Sequence, residues 1–427
     1  MIEKVLEAKN LYKASRQVIR NKGTSGLDAM KVTELEKYIL ANRTSILSSI
    51  RKESYLPKPI LGVRIPKSQG KTRLLGIPTV VDRWLQQAVQ QQLQTKFEFE
   101  FEPHSYGFRP KKNLQQAVLQ AKSYINSGLQ DIVDIDLKSF FDEVDHCILM
   151  QLIYNKVKCS STLRLIRKWL RSPIVIEGKY VKRRKGIPQG SPLSPLLSNI
   201  LLDVLDKELK RKGCNYVRYA DDFSIYAKSK QAAKKIGNEV YVFLRDKLKL
   251  PINRAKSGIR RPVNFELLGH GFVPVYQKGI KGKYQLVVSS KSWDKFKRKL
   301  KSITKKTKPI SLTDRLKQLN QVCRGWSNNY RLAKSYTKLK KVDQWLRNRL
   351  RYCIWHDWKK PERKRKSLIQ LGIEKGQAYA WSRTRMGGWS VAQSPILVTT
   401  ITLARLKRKG YKPITAYYTN KGQTTIW

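Results

Sequence analysis

Apolar and polar positions along the chain mark out its elements before any chemistry is considered. Ile132-Val133-Asp134-Ile135-Asp136-Leu137 is dense in β-branched and apolar residues and predicts a strand leading into a polar, aromatic turn. Asn215–Tyr219 and Phe223–Tyr226 predict two short strands joined at Ala220-Asp221-Asp222, a hairpin with two acids at its tip. Upstream of that hairpin, Ser194 and Pro195 suit the N-cap and first position of a helix that runs through Ile200, Leu201 and Leu205 and stops at Gly213. Lys210, Arg211 and Lys212 close it, as the helix dipole favours. From Trp293 to about Lys360 apolar residues recur at near-helical spacing, and the remainder reads as a smaller, more irregular basic domain. The first 290 residues therefore predict a mixed α/β body, with a boundary in the glycine- and lysine-rich turn region of Gly279 to Lys291.

Charge changes this picture most. Lysine and arginine number 88 against 31 acids, giving +57 on a chain of 427 residues that is 41% apolar. Such a chain repels itself unless an acidic partner neutralises it, and nucleic acid has the phosphate spacing to do so. Residues 291 to 427 hold 35 basic and 6 acidic residues, +29 of the total, together with eight of the ten tryptophans. Arginine and lysine runs here would track phosphates, while most of the tryptophans are expected in the core. An anionic membrane surface is the competing partner. No run approaches the roughly 18 to 20 apolar residues of a spanning helix, the longest candidate lying around Ile396 to Leu406. The opening Met1-Ile2-Glu3-Lys4 lacks the apolar core of a secretion signal. Cys147, Cys159, Cys214, Cys323 and Cys353 include no Cys-x-x-Cys pair, which argues for a reducing compartment without a disulfide framework or structural zinc. With four histidines, a histidine-rich nuclease module is hard to build.

In a chain short of acids, their clustering carries information. Asp131, Asp134, Asp136, Asp142, Glu143 and Asp145 fall close together, and Asp221 and Asp222 are adjacent. Carboxylates crowded on a rigid turn repel unless a cation lies between them. Magnesium suits such a site, since it takes oxygen ligands and keeps waters and substrate phosphates in its shell. Two ions about 3.5 to 4 Å apart can activate an attacking hydroxyl and stabilise a leaving oxygen in phosphoryl transfer. The residues alone also allow a bland reading, a solvated acidic turn beside a solubilised strand end.

A series of motifs separates the two readings. In order come Ile65-Pro66-Lys67 with Thr72-Arg73-Leu74-Leu75-Gly76-Ile77-Pro78, Ser105-Tyr106-Gly107-Phe108-Arg109-Pro110, and Asp134-Ile135-Asp136-Leu137-Lys138-Ser139-Phe140-Phe141-Asp142. Gly186-Ile187-Pro188-Gln189-Gly190-Ser191-Pro192-Leu193-Ser194-Pro195, Tyr219-Ala220-Asp221-Asp222, Asn253-Arg254-Ala255-Lys256-Ser257 and Leu268-Gly269 follow. This series resembles the group II intron-encoded reverse transcriptases. Asn21-Lys22-Gly23-Thr24-Ser25-Gly26-Leu27-Asp28 looks like their N-terminal extension motif, and Gly325-Trp326-Ser327-Asn328-Asn329-Tyr330 resembles their thumb, or maturase, domain. Ser191, Ala29 and His270 depart from the family's usual residues, which bears on template and primer positioning.

The resemblance implies an α+β right-hand polymerase: fingers and a palm with an antiparallel sheet over 1–290 with an N-terminal extension over 1–60, a helical thumb over 291–365, and a basic nucleic-acid-binding domain over 366–427. By position, Asp136, Asp221 and Asp222 would be catalytic and hold two Mg2+ ions, for which Mn2+ could substitute, with the carbonyl of Leu137 as a further ligand. Asp142 matches a later acid not expected to bind metal. Lys67 and Arg73 would hold the triphosphate, a role their ammonium and guanidinium suit. Phe140 would lie under the sugar and reject a 2′-hydroxyl, Gln189, Gly190 and Ala220 would line the nucleotide pocket, and Lys256 would neutralise or protonate the departing pyrophosphate. Each has a bland counterpart: Lys67 and Arg73 as members of a solvated basic face, Phe140 as a core aromatic, Gly190 as a turn residue.

The implied function is RNA-directed DNA synthesis from a DNA or RNA primer with deoxynucleoside triphosphates, joined to binding of group II intron RNA and target DNA in splicing and retrotransposition. A bacterial cytoplasmic location and the compact class lacking a nuclease domain are expected. Three alternatives stay open: a domesticated relative serving DNA repair or defence, an RNA-binding splicing factor with secondary polymerase activity, and an RNA-dependent RNA polymerase, against which Phe140 speaks. Oligomeric state is not legible.

Overall fold

The computed structural model describes residues 1–66, 72–278 and 281–419, and the chain divides into two compact units, Met1–Arg261 and Pro262–Trp427. Lys67 lies outside the described residues.

In the first unit, β1 (Ile60–Pro66), β2 (Thr72–Ile77), β3 (Asp131–Ile135), β4 (Ile174–Ile176), β5 (Lys179–Val181), β6 (Asn215–Tyr219), β7 (Asp222–Ala227) and β8 (Gly258–Arg260) form two sheets, ordered β2-β1-β4-β5 and β6-β7-β3-β8. The second sheet is antiparallel throughout. Residues two apart on a strand share a face. Val133 and Ile135 of β3 and Phe223, Ile225 and Ala227 of β7 therefore point together into a core shared with Leu197, Leu201 and Leu205 of the helix Ser194–Arg211. Asp134 of β3 and Ser224 of β7 face each other on the opposite side. The acids are thus carried on the face that the apolar core leaves open.

The expected strands and the helix preceding the hairpin are present within a residue or two. The cap is not. Leu193 precedes the first helical residue and no side chain caps it, because the Ser194 hydroxyl donates instead to the Pro188 carbonyl at 2.7 Å. That bond ties the helix to the loop holding Gln189 and Gly190.

In the second unit, β9 (Glu266–Leu267), β10 (His270–Pro274) and β11 (Tyr284–Val288) form a small antiparallel sheet. Three long helices follow, Ser290–Ile303, Leu312–Asn329 and Tyr336–Asp357, packed through Phe296, Leu300, Leu316, Leu319, Leu346 and Leu350. Trp293 and Trp355 are buried and Trp326, Trp345 and Trp358 pack against the same core. The division between units falls before the turn region of Gly279 to Lys291, since the β9–β11 sheet belongs with the helices. The expected irregular tail is instead a series of short helices from Pro361–Gln370 to Ile414–Thr419. Glycine and proline, at Gly372, Gly387, Pro395, Gly410 and Pro413, keep each one short. Asp343, buried in the Tyr336–Asp357 helix, anchors them by accepting from the Tyr411 hydroxyl at 3.0 Å and the Ile414 amide at 2.7 Å.

Candidate active site

The β3–β7 register pairs Ile135 with Phe223, so continuing it by one residue sets Asp136 opposite Asp222 at the end of the sheet, with Asp221 beside it in the turn. Asp136 is fixed through its backbone: its amide donates to the Ser257 hydroxyl at 3.0 Å and its carbonyl accepts from the Asn253 amide at 2.8 Å. The Asn253–Ser257 motif therefore works as a brace behind an acid more than a hundred residues away. Its Lys256 ammonium lies 3.4 Å from the Asp136 carboxylate. Asp134, two residues earlier on the same face, is taken by Arg260 at 2.8 Å.

Asp222 is exposed at the turn, yet neighbouring protein partly desolvates its carboxyl, and Asp221, Asp136 and Asp134 add their negative charge. Together these push the carboxyl up to about 6, against the pull of Lys256. A divalent cation would relieve that crowding. Among the described residues no three acidic, histidine or cysteine side chains converge as a ready-made cage. The donors fit an ion that takes few carboxylates and completes its shell with water and substrate phosphate oxygens, as magnesium does. The strand register thus carries Asp136 toward Asp222, while the Asp136 carboxylate turns to Lys256. Leu137 is buried, its backbone bridged to Ile252.

On the other sheet, Arg73 of β2 donates through Nε to the side-chain oxygen of Gln189. The Gly76 amide donates to the Gln189 carbonyl at 2.8 Å. Gly190, at φ +122°, passes so close that a Cβ would lie 2.7 Å from the Gly76 carbonyl oxygen. Glycine is needed there on both counts. Arg73, Gln189 and Gly190 are therefore brought together by β2 and one loop. Phe140 is different: it is 2% exposed, sits in the core and meets Phe141 edge-on at 5.2 Å, with Phe141 8% exposed. Its burial fits the reading of Phe140 as a core aromatic.

Sequence reasoning missed two supports. A Cβ on Gly107 would collide with the backbone amide of Ala220, so glycine lets the Ser105–Pro110 motif run against the acidic turn. Ala220 itself adopts φ 58°, a left-handed conformation uncommon outside glycine. A motif glycine without an assigned role was the available signal for the first.

In the second unit, Lys297, Arg298 and Lys301 of one helix face Lys338 and Lys341 of another across a cleft of about 720 Å3, with Trp293 and Trp345 in its wall. No described helix is long and apolar enough to cross a membrane.

Comparison with known proteins gives the chain's relatives. Residues 65–272 match the reverse transcriptase (RNA-dependent DNA polymerase) family, and residues 293–371 match the maturase-specific domain of group II introns. The chain is 29% identical over 305 residues to protein YkfC of Escherichia coli, covering 62% of this chain and 80% of that protein. It is 30% identical over 311 residues to the group II intron-encoded protein LtrA of Lactococcus lactis, covering 58% of this chain and 52% of LtrA, about half its length. A solved Cas6-RT-Cas1–Cas2 complex is similar at 25% identity over 58% of this chain and 42% of that one, with a TM-score of 0.38. A reverse transcriptase domain followed by an intron maturase domain places this chain in the family of group II intron-encoded reverse transcriptases.

Proposed function

We propose that the chain copies RNA into DNA at the end of the β3–β7 pair and binds intron RNA through its second unit. The observation that carries this reading is the placement of Asp136, Asp221 and Asp222 at one sheet end, where desolvation first and the neighbouring carboxylates second raise the Asp222 carboxyl to about 6. Asp136, Asp221, Asp222 and the Leu137 carbonyl would hold two magnesium ions, with manganese a possible substitute. When bound, the ions lower the pKa of the primer 3′-hydroxyl and stabilise the oxygens of the in-line transfer.

The chain's own residues position the reactants. Arg73, already oriented by Gln189, presents guanidinium donors to the triphosphate, a role this reading also assigns to Lys67. Gln189, Gly190 and Ala220 border the nucleotide pocket, where the close backbone approach at Gly190 leaves room for a base pair. The primer 3′-oxygen bonds to the α-phosphorus, the bond to the β-phosphate oxygen breaks, and pyrophosphate leaves. Lys256 stands within reach of Asp136 and would neutralise or protonate that leaving group. Most of the acceleration comes from positioning and fixed charge.

In this reading residues 1–290 serve as fingers and palm, 291–365 as thumb, and 366–427 as a basic domain for nucleic acid, in a bacterial cytoplasmic protein. The cationic cleft between the Ser290–Ile303 and Tyr336–Asp357 helices supports the assignment of RNA contact to the second unit. Group II intron RNA, an RNA template with its primer, and target DNA are the partners. Primer extension on an RNA template with deoxynucleotides tests the reading. Synthesis should require a divalent cation and vanish in Asp222→Ala, while assistance to intron splicing survives in that variant. Full synthesis by folded Asp222→Ala would sink it.

A further inference from the structure

Arg218 lies three residues before the acid pair, in a chain where most cations are solvated, yet it is completely buried. In the β6–β7 register it pairs with Phe223, on the sheet face opposite Asp222 and Ser224, and so points toward the helix Ser194–Arg211. There its guanidinium meets Asp206, also fully buried, with Nε donating at 2.9 and 3.0 Å and Nη2 adding a further bond. Burial opposes the charge on Arg218, but the facing carboxylate outweighs it and keeps the guanidinium protonated. One nitrogen remains. Nη1 donates at 3.0 Å to the Asn199 side-chain oxygen and at 3.0 Å to the carbonyl of Ala220. The Asn199 amide in turn donates at 2.9 Å to the Gly107 carbonyl. The backbone of Arg218 joins the same assembly, accepting from the Tyr106 amide at 2.8 Å and donating to the His104 carbonyl at 3.0 Å.

A fully desolvated ion pair is weak evidence for stability, because well-packed apolar residues often serve as well. What this pair holds is more telling. The carbonyl it grips belongs to Ala220, the residue with φ 58° immediately before Asp221 and Asp222. An alanine keeps a left-handed backbone only when its surroundings over-determine it. The guanidinium on one side and the close approach of Gly107 on the other supply that constraint.

We propose that Arg218, oriented by Asp206 and Asn199, is a positioning residue that locks the Ala220 peptide and so sets the aim of the Asp221 and Asp222 carboxylates toward their cations. This rests on the assignment of those acids as metal ligands. Lysine at 218 would keep the charge beside Asp206 but lose the fork that spans Asp206, Asn199 and Ala220 at once.

The test compares Arg218→Lys, the apolar pair Arg218→Met with Asp206→Leu, and Asp222→Ala as control. Melting temperature, kcat and KM for deoxynucleotide on an RNA template, the half-saturating Mg2+ concentration, and Mn2+ binding by electron paramagnetic resonance are measured on the full chain. Folded Arg218→Lys should lose on the order of tenfold to a hundredfold in kcat, as small misplacements of reacting groups do, with little change in KM. Its Mn2+ affinity should weaken by about tenfold or more, as happens when a group that orients a metal ligand is lost. The apolar pair should melt near the wild type yet show the same losses. Wild-type kcat and Mn2+ binding in either folded variant would overturn the proposal, and so would failure of both to fold, which would leave the network a purely structural one. Should Asp222→Ala polymerise or bind Mn2+ normally, the assignment of the acids fails instead.

Discussion

Lys256 holds its ammonium 3.4 Å from the carboxylate of Asp136, so a lysine occupies ground that a metal ion would share. Both are substantially exposed, which makes the pair worth little to stability. Its consequence is competitive. In Lys256→Gln the half-saturating Mg2+ concentration should fall, since the rival cation is gone. At the same time kcat should drop by roughly tenfold to a hundredfold if the ammonium assists pyrophosphate departure. Magnesium titrations of primer extension separate the two effects, and a variant unchanged in both would remove Lys256 from the site.

Gly107 predicts a different failure. Alanine there drives a methyl group into the Ala220 amide, and backbone cannot swing aside as a side-chain tip would. Gly107→Ala should therefore shift the acidic turn and lower kcat on the order of a hundredfold. Melting curves should change by less than activity does. Retained activity would mean the turn tolerates displacement.

Phe140 and Phe141 are adjacent but should not behave alike. Removing the Phe140 ring opens a cavity in the core, at a cost of about 3 to 5 kcal/mol in stability. If Phe141, whose carbonyl accepts from Ile187 at 2.6 Å near the Gln189 loop, borders the nucleotide, its alanine variant should admit ribonucleotides more readily. Measuring ribonucleotide against deoxynucleotide incorporation in both variants assigns the gate. Relaxed sugar choice in folded Phe140→Ala alone would return the role to Phe140.

Acid should weaken the first unit through His146. Burial lowers its pKa below the ordinary value near 6.5, although its Nε2 donates at 2.7 Å to the Gly186 carbonyl; Nδ1 is buried and meets no partner among the described residues. The unfolded chain then binds the proton that the folded chain refuses, so stability falls as pH drops below about 6.5 toward the folded pKa. His146→Gln, which keeps a donor for Gly186, should flatten the fall in melting temperature between pH 7.5 and 5.5. An identical slope in the variant would show that other groups carry it.

The contrast between Arg73 and Arg218 explains how far the sequence could be read. Arg73 sits on an exposed strand in a recognisable motif, and its meeting with Gln189 follows from that motif's pairing with another. The strands carrying Asp136 and the acid pair were legible too, from β-branched runs broken by polar turns. Arg218 was invisible among 88 cations, because its meaning depends on Asp206, twelve positions earlier on a different element. Burial of a charge is decided by tertiary packing, which local pattern does not encode. The same holds for Ser194, whose hydroxyl chose the Pro188 carbonyl over the helix end, and for the tail, where breakers that made it read as irregular instead punctuate short helices.

Asp343 gives that tail a significance its composition conceals. Both oxygens of the carboxylate are engaged, Oδ1 by Tyr411 and Ile414 and Oδ2 by the amide and hydroxyl of Thr415. Clipping the chain ahead of Tyr411 would strand a negative charge inside the longest helix with nothing to satisfy it. The segment Tyr411–Thr415 thus acts as a keystone, closing the second unit over a carboxylate that its own helix cannot satisfy.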